Sequence, residues 1–192
     1  YHIPEYISPW NYNLSKRIWE IDDYVFSAGI AKELLWMRPK LGAGIARING
    51  YRQLQANLQV IVYPAGNLNF YLTPEATLHF DESESGAKFV FGQGAGIKTG
   101  PFWLSLDYAV GNMKNFFSGD GLVVYNMPES IRQKKGISVW LPLLKYRMEA
   151  TLRLGRSEKK GTTFVYTDLV DFVPENYRFN ENSILFSLKW NL

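Results

Sequence analysis

One segment, from Leu68 to Asp81, alternates apolar and polar residues over fourteen positions. Successive side chains of a β-strand point to opposite faces, so this segment has one apolar face and one polar face. The apolar face carries Leu68, Phe70, Leu72, Ala76, Leu78 and Phe80, and the polar face carries Asn69, Tyr71, Thr73, Glu75, Thr77, His79 and Asp81. The segment is about twice as long as a usual strand. Long strands with this alternation suit a closed barrel that has lipid outside and polar residues inside.

The same alternation recurs along most of the chain, with turn-forming residues between the segments. It is found in residues 57–63, 87–98, 102–110, 137–143, 146–154 and 184–192. The period is that of a strand, so the sequence predicts an all-β chain. The predicted architecture is an antiparallel up-and-down transmembrane β-barrel of about ten strands, or the C-terminal part of a larger barrel. Residues 1–15 are predicted to form an extended N-terminal arm, and residues 16–192 the barrel domain.

The predicted connections between strands alternate in length. Short turns are predicted at residues 38–40, 64–67, 99–101 and 143–145. Longer connections are predicted at residues 48–55, 82–86, 111–135 and 156–182, the last as a hairpin that projects from the sheet. Bacterial transmembrane barrels have short turns on one side of the membrane and longer loops on the other. The alternation therefore favours such a barrel over a soluble sandwich.

Composition excludes several classes of function. The chain has no cysteine, which rules out disulfides, thiolate metal sites and cysteine nucleophiles. Its net charge of +3 comes from 21 basic and 18 acidic residues, a balance that gives no argument for nucleic acid or anionic lipid. No run of about 18 apolar residues is present, so any membrane-spanning region would consist of strands closed into a barrel. The aromatic content of 16% suits the pleated surface of a sheet.

The last predicted strand carries a recognisable pattern. Its apolar residues continue to the final position and include Ile184, Phe186, Leu188, Trp190 and Leu192. This pattern resembles the C-terminal β-signal of outer-membrane β-barrel proteins of Gram-negative bacteria, with Leu192 where the family usually has phenylalanine. The resemblance implies a location in the bacterial outer membrane and recognition of this strand by the barrel-assembly machinery. It carries no catalytic residue with it.

Ten ionisable residues lie on the polar faces of the predicted strands and are expected to face the lumen of the barrel. They are Glu75, His79, Asp81, Lys88, Lys98, Asp107, Arg147, Glu149, Arg153 and Lys189. Unpaired charges in an interior are costly, so Glu149 is expected to pair with a nearby cation, namely Arg147, Arg153 or Lys189. Barrels of about eight strands are filled by side chains, whereas those of sixteen or more leave a channel. A charge-filled interior is therefore expected rather than an open pore.

His79 is the only histidine on a predicted strand. With Asp81, Glu82, Ser83 and Ser85 nearby, it would suit a hydrolytic site at the rim of the barrel. The local motifs of outer-membrane lipid hydrolases and acyltransferases are not found, however. Adjacent strand residues point apart, which disfavours a metal site formed by His79, Asp81 and Glu82. The sequence therefore predicts no enzyme, no metal and no cofactor, and interprets His79 as a solvated interior residue.

Two other functions stay open on the sequence. A soluble β-barrel or sandwich that binds a small apolar ligand would have apolar residues inside and polar residues outside. Pro74 and Pro142 would favour it if they end strands, because proline removes a ladder hydrogen bond. An outer-membrane lipid-modifying enzyme would instead depend on His79.

The main prediction is an outer-membrane protein with a structural, porin-like transport or envelope-complex subunit role. Expected partners are membrane lipid, lipopolysaccharide, the barrel-assembly machinery and other envelope proteins, with no nucleic acid. Basic residues in 132–135 and 156–160 are predicted to lie on outward loops. There they are either solvated or in contact with lipid phosphates or a partner protein.

Overall fold

The chain is built from β-strands. A computed structural model describes residues 22–118, 122–125, 127, 129–143, 147–166 and 172–190. Within these ranges there are eleven strands and no helix, which confirms the predicted all-β class. In chain order they are β1 Tyr24–Ala31, β2 Met37–Ile48, β3 Tyr51–Val62, β4 Phe70–Asp81, β5 Ala87–Thr99, β6 Phe102–Gly111, β7 Phe116–Ser118, β8 Val123–Tyr125, β9 Ser130–Leu143, β10 Met148–Tyr166 and β11 Phe172–Trp190.

Some sequence features lie outside this part of the chain. The arm predicted for residues 1–15 and the final residue, Leu192, are not among the described residues. In the part that is described, no helix has the length and apolarity needed to cross a membrane.

Nine of the strands form one antiparallel sheet in the predicted up-and-down order. The spatial order is β1-β2-β3-β4-β5-β6-β9-β10-β11, while β7 and β8 form a separate hairpin. Neighbouring strands alternate in direction, so the two edge strands, β1 and β11, run the same way. No pairing joins these two edges within the described ranges. Antiparallel closure of the sheet therefore requires an odd number of additional strands from outside the described residues.

The pairing of β4 shows how the alternating sequence builds the sheet. Leu78 lies opposite Ala56 of β3 and opposite Phe89 of β5. Its neighbour His79 lies opposite Gln55 and Lys88 on the same two strands. Cross-strand neighbours share a face, so apolar residues meet apolar residues and polar residues meet polar ones across three strands.

Four prolines lie inside the described strands: Pro174 lies in the edge strand β11, and each of the other three lies where the hydrogen-bond ladder to one neighbouring strand is missing. Pro39 lies beyond the end of the pairing between β1 and β2, and Pro142 lies beyond the end of the pairing between β6 and β9. At Pro74 the ladder to β3 is interrupted, while the ladder to β5 continues. A residue without an N–H is tolerated at such positions. The strands therefore continue through Pro74 and Pro142, which removes the reason these prolines offered for a sandwich.

Two predicted connections are wrong. Residues 38–40 lie inside β2, and the connection between β1 and β2 is at 32–36. The long connection predicted at 48–55 is a two-residue turn between β2 and β3. Its residues Asn49 and Gly50 have φ angles of 54° and 80°. Positive φ at both positions is typical of the tight type I′ hairpin turn, which matches the twist of the flanking strands.

The last two strands form the projecting hairpin that the sequence predicts. Each has 19 residues, and their pairing extends to Tyr166 opposite Phe172. The pairing of β10 with β9 ends at Lys160 opposite Ser130. Residues 161–166 and 172–177 therefore extend beyond the sheet by roughly 20 Å, at about 3.3 Å per residue.

The basic residues in 132–135 and 156–160 lie within β9 and β10, so their prediction on outward loops is wrong. The reason is that both strands extend further than their alternation suggests. The long connection predicted at 111–135 is also shorter than expected, because it contains β7 and β8 and ends where β9 begins at Ser130.

The two faces of the sheet differ in polarity. Exposed apolar side chains include Phe26, Ile30, Leu41, Ile45, Leu54, Leu58, Leu78, Phe89, Phe91, Leu106, Ile137, Leu152, Ile184 and Phe186. Buried polar side chains include Gln53, Gln55, Thr77, His79, Asp81, Lys88, Asn115, Ser130 and Lys159. Among the described residues, one face of the sheet thus has covered polar side chains, while the other face exposes large apolar side chains.

Candidate functional site

The connection between β6 and β9 folds back onto the polar face of the sheet. Residues 112–118 and 122–125, which we call the inserted segment, include the β7–β8 hairpin. Phe116 packs in one small apolar cluster with Val90, and Phe117 packs in another with Ile48. The inserted segment therefore occupies the side of the sheet that would be the interior of a closed barrel.

A glycine makes room for the inserted segment. A Cβ atom on Gly44 would lie 2.8 Å from the ring of Phe117, which is closer than real Cβ contacts come. Gly44 belongs to one of three Ala-Gly-Ile repeats in the sequence, and Gly96 of another repeat lies under the ring of Tyr71 in the same way. Glycines on the polar face of the sheet thus leave space in which aromatic rings pack against the strands.

Gln55 holds the backbone of the inserted segment. Its Nε2 donates to the carbonyl oxygen of Phe117 at 2.8 Å, and the N–H of Phe117 donates to its Oε1 at 2.9 Å. Both groups of the Phe117 backbone are therefore satisfied by one buried amide side chain. A buried backbone group without such a partner is costly, so this pair of bonds is central to keeping the segment in place.

A charged cluster anchors the start of the inserted segment. Glu84 pairs with Lys88 at 2.8 Å and with Lys114 at 3.2 Å, and it accepts a hydrogen bond from Asn112 at 3.1 Å. Lys88 also lies 3.6 Å from Asp81. Burial on its own would raise the pKa of the Glu84 carboxyl, but hydrogen bonds and charges from Lys88 and Lys114 outweigh it and hold that pKa below its usual value.

The lowered pKa of Glu84 predicts acid-sensitive stability. A carboxyl whose pKa is lower in the folded state adds stability above its unfolded pKa, about 4.3, and loses it as the pH falls through the folded value. We expect Glu84→Gln to reduce the free energy of unfolding at pH 7. The gap to the original chain should shrink as the pH drops below about 4.3.

Urea unfolding at a series of pH values measures this gap. Glu33→Gln is the matched control, because Glu33 pairs with Arg38 at 2.9 Å on an exposed part of the chain. Exposed pairs contribute little, so this variant should stay close to the original at every pH. A gap for Glu84→Gln that is constant between pH 7 and pH 3 would contradict the role given to Glu84.

His79 lies in the same region, under the inserted segment. Its side chain is fully buried, its Nε2 is 2.6 Å from Oε1 of Gln53, and its ring meets that of Phe116 at 5.8 Å edge to face. The interpretation of His79 as a solvated residue is therefore wrong, because the inserted segment covers it. Asp81 instead accepts hydrogen bonds from Asn115 and from the N–H of Ser83. In the described part of the chain no group of three or more metal-ligating residues occurs.

The structure brings three of the predicted lumen-facing residues together under the inserted segment: His79, Asp81 and Lys88. Asp107 and Arg153 form a second group further along the sheet, with 2.8 Å between carboxylate and guanidinium. The side chain of Asp107 lies over Gly136, where a Cβ would come within 2.6 Å of its Oδ1. Glycine therefore provides the space in which this ion pair forms.

The other predicted residues lie nearer the opposite end of the sheet. Glu149 lies 3.8 Å from Lys189, one of the cations proposed for it, whereas Arg153 pairs with Asp107. Lys98 lies over the ring of Trp103 at 5.8 Å. Arg147 is exposed in the turn before β10.

Glu75, the last of the ten, borders two adjoining cavities on the polar face. Their volumes are about 340 and 360 Å³, and both are also lined by Gln59, Thr77 and Ser118. Ser118 belongs to the inserted segment, so this segment forms part of both cavity walls.

The sequence interpretation missed the amide residues of β3. Gln53, Gln55, Asn57 and Gln59 alternate along this strand and share its polar face. Their alternating spacing is the sequence signal for this polar face, although none of them is ionisable. Lys159 was also missed as a buried residue: it pairs with Glu181 at 2.6 Å at the base of the projecting hairpin.

Comparison with known proteins identifies no relative. No protein-family model, curated protein or solved structure matches the chain. A functional proposal must therefore be argued from the geometry of the sheet, the inserted segment and the cavities.

Proposed function

We propose that the chain is an outer-membrane β-barrel protein with a porin-like transport role, held closed at one end by the inserted segment. The observation that supports this most is the polarity of the sheet, in which several ionisable and amide side chains are buried and large apolar side chains are exposed. Transmembrane barrels have this arrangement because their outer surface contacts lipid.

The extent of the exposed apolar face is the first argument. Phe26 and Ile30 of β1, Leu58 of β3, and Ile184 and Phe186 of β11 are all about half exposed or more. Soluble monomers rarely expose contiguous apolar patches of more than a few hundred Å². A face that runs from one edge of a nine-stranded sheet to the other calls for a continuous apolar surrounding, and lipid provides it.

The parity of the sheet is the second argument. Nine antiparallel strands need an odd number of further strands to close, and one would bring the total to ten. Bacterial single-chain barrels have even strand numbers for this reason. Closure would also remove the free edges of β1 and β11, which lipid would leave unsatisfied.

The inserted segment favours transport over a purely structural role. In a barrel of ten strands, side chains can fill much of the interior. A segment bound to the inner face of the sheet can therefore block passage of solutes through the barrel. The cavities beside Glu75 are space on the polar face that neither the side chains nor the inserted segment fill. The strand that the barrel-assembly machinery recognises would be β11, whose exposed apolar residues continue to Trp190.

The test is heat-modifiability of the 192-residue chain refolded into detergent. A closed barrel should resist sodium dodecyl sulfate and migrate differently before and after boiling, because its backbone hydrogen bonds are all internal. The boiled sample is the internal control. A chain that stays folded and monodisperse without detergent, and shows no shift, would overturn the proposal.

A further inference from the structure

We propose that the larger cavity beside Glu75 is a binding site for a small organic cation that carries N–H donors, such as a guanidinium or primary ammonium compound. The cavity has a volume of about 360 Å³ and lies between the polar face and the inserted segment. Sites for small molecules in proteins start at about 300 Å³ and use a few placed polar groups. The site does not depend on what covers the outer face of the sheet.

Glu75 is the charged group at the centre of the proposal. Its Oε1 accepts a hydrogen bond from Asn57 at 2.6 Å, and its Oε2 accepts one from Gln59 at 3.1 Å. Among the described residues it makes no ion pair. An ionised carboxylate offers about four lone-pair positions, so each oxygen retains capacity for a further donor.

The neighbouring amides decide which kind of ligand fits. A carboxylate only accepts, so the NH₂ groups of Asn57 and Gln59 must face Glu75. Asn57 uses its NH₂ for Thr77 as well, at 3.2 Å. The amide donors are thus directed to Glu75 and Thr77, and Glu75, whose carboxylate retains acceptor capacity, lines the cavity. A set of acceptors with a negative charge selects a cation with N–H groups.

The other charges around the cavity agree with this choice. Asp107 and Lys134 also line it, and Asp107 is paired with Arg153 at 2.8 Å, so Glu75 is the acid of the lining that has no ion pair among the described residues. Lys134 is engaged by Tyr125, whose hydroxyl lies 2.8 Å from its Nζ and whose ring centre lies 5.2 Å away. The ring of Phe116 adds an apolar wall. A planar guanidinium could pair with a carboxylate through two hydrogen bonds in such a space.

The experiment is isothermal titration calorimetry of the folded 192-residue chain with ethylguanidinium and with ethylurea, which has a similar shape but no charge. We expect ethylguanidinium to bind at least about tenfold more tightly than ethylurea, since a hydrogen bond to a charged group contributes more than a neutral one. Glu75→Gln should reduce the affinity for ethylguanidinium by about tenfold or more. Glu158→Gln is the matched control, because Glu158 lies 3.9 Å from Arg178 and does not line the cavity.

Each other outcome overturns the site. The proposal is overturned if ethylguanidinium does not bind, or if ethylguanidinium and ethylurea bind with equal affinity. It is also overturned if Glu75→Gln binds ethylguanidinium as tightly as the original chain does. If Glu75→Gln does not fold, Thr73→Lys replaces it, because Thr73 lines the cavity and a lysine there would occupy the position of the ligand cation. Retained affinity in Thr73→Lys would then be the contradicting result. Failure of the outer-membrane proposal would appear in the detergent experiment and would leave this titration unaffected.

Discussion

Leu58→Lys should destabilise the folded chain in a lipid bilayer by about 2–4 kcal/mol, the cost of a charge near the middle of the apolar band of a barrel. Leu58 lies in β3 on the apolar face, opposite Leu41 of β2 and Ala76 of β4. About half of Leu58 is already exposed, so its replacement removes little packing. In water such a change would cost only about 0.5 kcal/mol or less, and the size of the effect therefore reports what surrounds this face.

Urea unfolding in phosphatidylcholine vesicles measures the effect. Thr162→Lys is the control, because Thr162 is exposed on the projecting hairpin beyond the sheet and should stay within about 0.5 kcal/mol of the original chain. A Leu58→Lys variant that is as stable as the control in vesicles would mean that lipid does not contact this face. The outer-membrane proposal would then lose its main support.

Gln55→Leu should release the inserted segment from the polar face. Leucine fills a similar volume but leaves both the N–H and the carbonyl oxygen of Phe117 without their hydrogen bonds. Each buried group left unsatisfied costs about 1–3 kcal/mol, so the released state should become at least about tenfold more populated. If the segment closes the barrel, its release should raise the ionic conductance of the protein in a planar bilayer.

Conductance and limited proteolysis of the inserted segment are the two readouts. Gln133→Leu is the control, since Gln133 donates an exposed hydrogen bond to the hydroxyl of Tyr108 and, among the described residues, makes no side-chain hydrogen bond to the segment. Its conductance should equal that of the original chain. If cleavage of the segment and conductance were both unchanged in Gln55→Leu, the segment would not be a closure held by this amide.

The alternating pattern allowed much of the sheet to be predicted. The alternation of apolar and polar residues in β4 indicated the length of the strand and its two faces. It also limited how β4 can pair with its neighbours, because a one-residue shift in pairing would move every side chain to the other face. Turn positions were less predictable. Asn49-Gly50 forms a tight turn where a longer loop was expected, and Pro39 lies in a strand where a turn was expected. Residue types such as asparagine, glycine and proline indicate that a turn is nearby. The exact position of the turn depends on where the pairing with the neighbouring strand ends.

The candidate site was less accessible to sequence reasoning. His79, Asp81 and Lys88 could be assigned to one face, but nothing local indicated that the inserted segment would cover them. The two hydrogen bonds of Gln55 join residues 62 positions apart in the chain. Contacts at such separations depend on the path of the connection between β6 and β9, and strand periodicity carries no information about that path.

For this chain the amino-acid order by itself determined the all-β class and the two faces of strands such as β4, because side-chain direction in a strand follows directly from position. Only the tertiary structure decided which polar residues are buried, which charges pair and where space is left beside Glu75. Those properties depend on what lies against the polar face, and the inserted segment reaches that face only through the folded sheet.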